Sequence, residues 1–549
     1  MDSILRFALE DLPRSDLRSV EDQRTPTQWV MDLSAKNQAL SQATATALAI
    51  AIHRATRSLT DPETTLADAE ALTWLMGQDV DLGALQVALG EIDRVSPATV
   101  ETQTLSWQRL IPEQRSLLTI AAEQASHQGW QLYLVGGGVR DLLLGDETTP
   151  LRLKDLDLVV AAGDRGAGLI LAEALKAAYP EAQLTLHSKF QTAAMVWNNG
   201  ELAGLAIDLA TARTEFYLYP GANPVVTGSD IDRDLFRRDF TVNAMALCLT
   251  DGEPGRLIDR FGGRQDLAAK QLRILHPGSF LEDPTRIYRG ARFAVRLGFE
   301  FDPDLREGLR SALKSGFYER VRDHGLPVPA LQGRLRSELK YLFEGENWRR
   351  GLVFLDRLGA LGCIHPHLTL SKSTVENLRR LDAWIQRFGP KPPTWQLQIE
   401  TLLMGMGNSD RTEAAQNLQM PPESLARVET VGAIDRLPEV TLPSEWCRVL
   451  VGFDRSCLIL AGVCLPNRRQ VLRAYLTRWS LAKPWLDGGD LQGLGYRPGK
   501  GLKTILADLR EKTIDGVLGD PAATLTYLQT QHPLKAPSTT GAAQIDGPR

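Results

Sequence analysis

The chain has 549 residues, material for three or four domains of ~100–200 residues each. Apolar residues make up 43% of it and charged residues 23%, which excludes a low-complexity chain and leaves ample material for packed cores. A formal net charge of −5 excludes binding to nucleic acid through a global positive excess, so any such contact must come from local basic patches.

Residues 1–105 read as a helical extension in which no chemistry is evident. Ala-rich stretches such as ATATALAIAIHRATR and ETTLADAEALTWLMG predict amphipathic helices, and His53 reads as a core or surface residue. Charges run through the first residues, unlike a signal peptide. No run approaches the ~18 apolar residues needed to cross a bilayer. A cytoplasmic protein without a membrane partner is the expectation. Cys248, Cys363, Cys447, Cys457 and Cys464 lack ligand-like spacing and read as buried thiols in a reducing compartment.

Residues 106–250 change character. PEQRSLLTIAAEQASHQG predicts a helix closed by Gly129, and WQLYLV a short buried strand. GGGVRDLLLG then reads as a glycine turn opening a helix. LKDLDLVVAA predicts a strand, GAGLILAEALKAAY a helix, and TAAMVW and LAGLAIDLATA two more strands. From 251 onward the pattern is helical, through 251–345 and on through 346–532, and residues 533–549 read as a disordered tail.

Gly136, Gly137 and Gly138 lie between a strand and a helix, where backbone N–H groups and the helix N-terminus can receive phosphate. Arg140 adds a cation in the first turn. Alone, such a turn is equally a tight strand–helix connection. Asp155 and Asp157 alternate with Leu156 and Leu158. Positions two apart on a strand share a face, ~6–7 Å apart, so the leucines enter the core and both carboxylates face the turn. Two like charges held together call for a cation. Two-metal phosphoryl-transfer sites hold ions ~3.5–4 Å apart, and Mg²⁺ prefers oxygen ligands and substrate phosphates. Asp208, on another predicted strand, either completes the metal site or caps local backbone.

GGGVRDLLLG followed by DLDLVV resembles the opening motif of the polymerase β-like nucleotidyltransferases, and within these the bacterial-type (class II) tRNA nucleotidyltransferase and poly(A) polymerase family. The resemblance implies an α+β fold: a polymerase β-like α/β head at 106–250, then an all-helical neck at 251–345 and a body and tail at 346–532 that bind tRNA. The extension at 1–105 lies outside it. In that family the two aspartates bind magnesium, which activates the RNA 3′-hydroxyl and steadies the leaving pyrophosphate.

Further motifs follow in chain order. DLFRRDFTVNAMAL (234–247) resembles the family's second motif. Arg237 and Arg238 offer rigid forks of donors to triphosphate oxygens. Asp239 can accept from a ribose hydroxyl, and Asn243 can support ribose or phosphates. Taken alone, the run is also a charged first turn of a buried helix. DRFGGRQDL (259–267) resembles the third motif and reads as a hinge braced by Asp259 and Asp266.

LEDPTRIYRGARF (281–293) places Asp283 and Arg286 three apart, neighbours if both lie on one helix. A carboxylate only accepts and a guanidinium only donates. The matching base edge shows an amino donor beside a ring-nitrogen acceptor, as cytosine and adenine do. Uracil and guanine show the reverse order. A simple Asp–Arg salt bridge is the alternative. The resemblance of Glu282, Asp283 and Arg286 to the family's EDxxR motif implies recognition of CTP and ATP. Arg289 and Arg292 continue along the helix toward triphosphate or RNA. In GRLRSELKYLF (333–343), which resembles the fifth motif, Gly333 replaces a usual glutamate, and Arg334 with Glu338 reads as an i,i+4 brace.

The segment 214–236 is hydrophobic and bears Pro and Gly where the family has a loop linked to the switch from C to A addition, which resembles the partial-activity subgroup. Near the C-terminus, 488–516 resembles the family's tail, and Arg497, Lys500 and Lys503 form a basic patch suited to RNA phosphate, or a solvated loop. The His365-Pro-His367 pair reads as structural. Full CCA addition, CC-only or A-only addition and poly(A) synthesis share all these motifs. A nucleotidyltransferase acting on a protein or small molecule would need neither the EDxxR motif nor the long helical region. Intact Asp155 and Asp157 argue against a silent RNA-binding protein.

Overall fold

A computed structural model describes residues 25–56, 65–78, 80, 85, 105–145, 149–162, 166–188, 191–217, 221, 223–250, 255–276, 278–314, 328–389 and 392–534. Most of the expected C-terminal tail, from 535 on, therefore lies outside the described residues, as does much of the N-terminal extension. The chain forms two compact units, Met1–Pro366 and His367–Arg549.

In the first unit, helices Pro26–Ala35, Gln42–Ala55 and Leu66–Met76 pack on one another. Thr25 caps the first of them, and Trp29, Leu33, Leu48, Ile52, Leu72 and Leu75 form the shared core. Thr27 donates to Asp68 across this core. His53 sits in the same core, 4% exposed.

The central element is a seven-stranded sheet. Its strands are β1 (Gln131–Val135), β2 (Asp155–Ala161), β3 (Gln183–His187), β4 (Thr192–Val196), β5 (Ala206–Thr211), β8 (Met245–Cys248) and β9 (Leu257–Asp259), in the order β3-β4-β5-β2-β1-β8-β9. Strands β6 (Arg213–Phe216) and β7 (Val225–Gly228) form a separate hairpin. Among the described residues of the seven-stranded sheet, only β2 and β5 run parallel, in a register that sets Asp157 beside Asp208. The parallel pair needs a crossover. Helix Ala167–Ala178 leads from β2 toward the β3–β4 hairpin, which brings the chain back antiparallel to β5. That helix and Pro112–His127 pack on the sheet.

Leu156 and Leu158 are buried, as the alternation requires. The sequence-based reading does not place β3: Leu184 and Leu186 alternate with polar residues, but Gln183–His187 is a five-residue, mostly exposed edge strand, too short a pattern to stand out. It also treated the stretch after Phe240 as a possible buried helix. The chain instead makes one 3₁₀ turn at Thr241–Asn243 and enters β8, every residue of which is buried.

Beyond the sheet, Thr285–Leu297 packs against Gly333–Glu344 and Trp348–Arg357. The second unit is helical. One core gathers Leu381, Trp384, Val431, Trp446, Leu458 and Leu472, and a smaller one gathers Leu491, Leu502, Leu509, Leu518 and Leu528. All five cysteines are free thiols, and burial pushes Cys457 up to about 11 and Cys464 up to about 12. Among the described residues, no helix is long and apolar enough to cross a membrane.

Burial lowers His53 from 6.5 to about 4. Between those values the unfolded chain binds a proton that the folded chain does not, so stability is lost as pH falls through that window, by about 1.4 kcal/mol per pH unit. Urea unfolding followed by tryptophan fluorescence between pH 7 and 4 should show this loss for the N-terminal helices, and His53→Gln should flatten it.

Candidate active site

The parallel pairing of β2 with β5 builds the first part of the site. Asp155 and Asp157 project from one face of β2, and Asp208 stands beside Asp157 on β5. All three line one cavity of about 1730 Å³. Burial raises the Asp157 carboxyl, and Asp155 raises it further against the opposing pull of Arg238. Asp208 is likewise raised, by burial first and then by Asp157 and Asp155. An oxygen-only donor set whose ionisation is resisted first by burial and then by mutual repulsion suits a hard divalent cation.

Gly136 ends β1 with φ +68°, a conformation that favours glycine, and opens the helix Gly137–Leu144. A Cβ on Gly136 would meet Arg238 Nη1 at 3.0 Å and Asp157 Oδ2 at 3.2 Å. The glycine is thus what lets the strand end lie between a cation and the acidic set. Arg140, on that helix, is 3% exposed and donates to Asn243 Oδ1 at 2.7 Å and to Asp141. It lines the cavity as a brace.

Asp234 is a residue whose part is not evident in the sequence. Fully buried, it accepts from Arg237 at 2.7 Å and from Arg238 at 3.0 Å. Burial alone would raise its carboxyl, but the two guanidiniums hold it below the usual range. Arg237 also donates to Glu215 Oε1 at 2.9 Å and to the Arg213 carbonyl at 3.1 Å. Its fork is therefore committed to the protein, whereas among the described residues the Arg238 guanidinium bonds only Asp234. Glu215 belongs to the β6–β7 hairpin, which occupies the segment expected to be a loop. Residues 218–220 and 222 of it lie outside the described residues.

A buried polar chain connects the glycine turn with the helices beyond the sheet. Asn243 Nδ2 donates to Asp239 Oδ1 at 3.0 Å, and Arg289 Nε donates to Asp239 Oδ2 at 2.8 Å. Arg289 and Arg292 both reach Glu338, each through a contact near 3.2–3.3 Å. The expected Arg334–Glu338 brace is not formed. Arg334 turns to Asp283, and Glu338 serves Arg289 and Arg292.

Asp283 and Arg286 meet the same cavity, but not as neighbours on one helix. Pro284 ends the short helix Ser279–Glu282, Asp283 is extended, and the next helix starts at Thr285. Arg286 N–H donates to the Asp283 carbonyl at 3.1 Å, but the two side chains do not pair with each other. Asp283 accepts from Thr285 N and Oγ1, at 3.0 and 2.6 Å, and from Arg334. Arg286 donates to Ser279 Oγ at 2.6 Å and the Arg237 carbonyl at 2.8 Å, and contacts Glu282 at 3.5 Å. Each is held in place by other groups, 5% and 4% exposed, with both side chains lining the cavity.

Arg497, Lys500 and Lys503 are exposed around the N-terminus of helix Lys500–Ile514, in the second unit. In that unit His367 also finds a partner that the sequence did not disclose, Asp410 at 2.7 Å. The hinge motif is braced as expected. Asp259 accepts from Gly263 N and Arg264 N, and Asp266 accepts from Thr241 and Arg273.

Residues 132–273 match the family model for the poly(A) polymerase head domain. An A-adding tRNA nucleotidyltransferase of Halalkalibacterium halodurans is 39% identical over 408 residues, 71% of this chain and 86% of that protein. The chain belongs to the tRNA nucleotidyltransferase and poly(A) polymerase family. An A-adding tRNA nucleotidyltransferase of Geobacter sulfurreducens is 31% identical over 405 residues, 70% of this chain but 43% of that longer protein. The CCA-adding enzyme of Thermotoga maritima, solved with tRNA, superposes with a TM-score of 0.57 at 26% identity over 78% of this chain and 98% of that one. The family's head accounts for the sheet, and its members outside the head share the helical remainder.

For this family member the crowding of Asp155, Asp157 and Asp208 predicts a trade between stability and cation binding. Without metal, Asp157→Asn should melt about 2–4 °C higher than the parent, as expected for relief of roughly 1 kcal/mol. Added Mg²⁺ should raise the melting temperature of the parent and leave the variant unmoved. Differential scanning fluorimetry with and without chelator checks both.

Proposed function

We propose that this chain is a template-independent enzyme that adds C or A to the 3′ end of tRNA from CTP or ATP, releasing pyrophosphate. The observation that carries the reading is one cavity holding both the three-carboxylate set and the Asp283/Arg286 pair. A generic nucleotidyltransferase needs only the first. The relatives of Halalkalibacterium halodurans and Geobacter sulfurreducens, both named A-adding, favour addition of the terminal A. CC addition, full CCA addition and poly(A) synthesis are the other outcomes of the test.

In this reading Asp155 and Asp157 hold Mg²⁺, with Asp208 beside them. Magnesium bound there would lower the pKa of the RNA 3′-hydroxyl and neutralise triphosphate charge. The 3′-oxygen bonds to the α-phosphorus as the bond to pyrophosphate breaks. The N–H of Gly137 and the free side of Arg238 donate to phosphate oxygens, while Gly136, whose own N–H donates to the Met245 carbonyl at 3.2 Å, gives the backbone room to approach. Arg237 and Arg140 hold the surrounding framework, and Asp239 with Asn243 meets the ribose. Asp283 accepts from the base amino group and Arg286 donates to the adjacent ring nitrogen. Arg289 and Arg292 flank the triphosphate path.

The head at 106–250 transfers, the neck at 251–345 reads the base, and 346–532 holds tRNA, with Arg497, Lys500 and Lys503 on its phosphates. A cytoplasmic location accords with tRNA processing.

Transcripts of tRNA ending before the first C, after the first C and after the second C of the terminal CCA, offered with each nucleotide in Mg²⁺, test the proposal. Extension of the last by ATP alone is the expected result, and no extension of any by CTP or ATP overturns it. Asp283→Asn keeps the shape but adds a donor, so preference for ATP over GTP should fall about 10–100-fold, the ~1–3 kcal/mol of a bidentate contact. Competition assays with both nucleotides measure that ratio.

A further inference from the structure

Asp283 is served by two guanidiniums from different helices, Arg286 on Thr285–Leu297 and Arg334 on Gly333–Glu344, and all three side chains line the one cavity. Burial pushes the Asp283 carboxyl up, while Arg334 and then Arg286 pull it below the usual range. Arg286 has the task already described. Arg334 has a bonding pattern that a simple brace does not explain.

The two oxygens of Asp283 are divided. Thr285 N and Oγ1 both donate to Oδ1, and Arg334 Nη2 donates to Oδ2. With Oδ1 taken, Arg334 does not form the two parallel bonds of a full arginine–carboxylate pair. Its other terminal nitrogen, Nη1, is buried without a hydrogen-bond partner. Glu338, one turn along the same helix, is drawn off by Arg289 and Arg292. Among the described residues, Asp283 is therefore the one carboxylate that Arg334 meets. The side chain as a whole is 37% exposed, so the fork can pivot on its Asp283 bond. A buried donor left without an acceptor costs free energy, and an acceptor on a bound ligand relieves that cost.

Taken together, the three side chains offer donor, acceptor and donor: Arg286, Asp283 and Arg334. The complementary base edge is acceptor, donor, acceptor. Adenine has that order in N1, N6–H₂ and N7. Cytosine has N3 and N4–H₂, followed by the C–H of C5, which accepts nothing. Guanine shares N7 with adenine but opposes the first two positions, so its rejection stays with Asp283 and Arg286. A third contact of this kind separates the two bases that the first two contacts treat alike.

We propose that Arg334 is a specificity-determining residue, whose second terminal nitrogen donates to N7 of a purine held at Asp283 and Arg286 and so favours ATP over CTP. The proposal rests on the reading of the chain as an enzyme that takes CTP or ATP, and within that reading it accounts for the choice of A.

7-Deaza-ATP carries a C–H in place of N7 and keeps the edge that Asp283 and Arg286 meet. Calorimetric titration of the full-length, RNA-free protein in Mg²⁺ should show ATP binding about tenfold more tightly than 7-deaza-ATP, the scale of one hydrogen bond from a charged donor. Arg334→Met, apolar and similar in reach, should bind the two alike, and its ATP-to-CTP affinity ratio should fall by about the same factor. Equal binding of ATP and 7-deaza-ATP by the parent overturns the proposal, and that comparison needs no variant. An Arg334→Met protein that binds both more weakly yet keeps the parent's difference between them also overturns it, and leaves Arg334 a brace for Asp283. The two readings fail separately. Discrimination against 7-deaza-ATP without extension of any tRNA transcript removes the catalytic reading and leaves the N7 contact. Extension by ATP and 7-deaza-ATP with equal kcat/KM removes the N7 contact and leaves the catalytic reading.

Discussion

The site depends on one register. Strands β2 and β5 lie side by side and parallel, with Asp157 opposite Asp208 and Asp155 two residues back on the same face. A one-residue slip of either strand would turn its carboxylate into the core and its leucine into the cavity. Leu156, Leu158, Ile207 and Leu209 are all essentially inaccessible to solvent, so the apolar face of each strand enforces the register that crowds the acids. The hydrophobic effect thereby holds together charges that repel, and a divalent cation resolves the repulsion.

Around that set, arginines and carboxylates are interleaved rather than segregated. Asp234 holds Arg237 and Arg238, Asp239 holds Arg289, Glu338 holds Arg289 and Arg292, and Arg334 holds Asp283. Buried charges survive only when paired and hydrogen-bonded, and pairing fixes each fork in one orientation. This explains how an acidic protein can hold a concentration of positive charge in one cavity. The same interleaving ties the head to the helix Thr285–Leu297, since Arg286 donates to the carbonyl of Arg237.

Much of this is legible in the sequence because it is local. The alternation of Asp155, Leu156, Asp157 and Leu158 announces a strand with an acidic face, and three glycines after an apolar run announce a strand–helix turn. Partners distant in sequence are not legible. Arg334 and Glu338 are spaced as an i,i+4 pair, yet each has a better partner about 50 residues away, which only the packing of Thr285–Leu297 against Gly333–Glu344 reveals. Asp234 reads as one more charge in a charged turn until the fold buries it. Pro284 is the overlooked signal in 281–293, because a proline there starts a helix and leaves Asp283 outside it.

Protein side chains, without a nucleic-acid template, choose the base in this account of the site. Calorimetric titration of the RNA-free protein with each nucleoside triphosphate in Mg²⁺ tests that choice most directly. CTP and ATP should bind at least ~10-fold more tightly than UTP and GTP, the low end of what one bidentate contact discriminates. Equal affinity for all four would contradict the assignment of Asp283 and Arg286 as the reader.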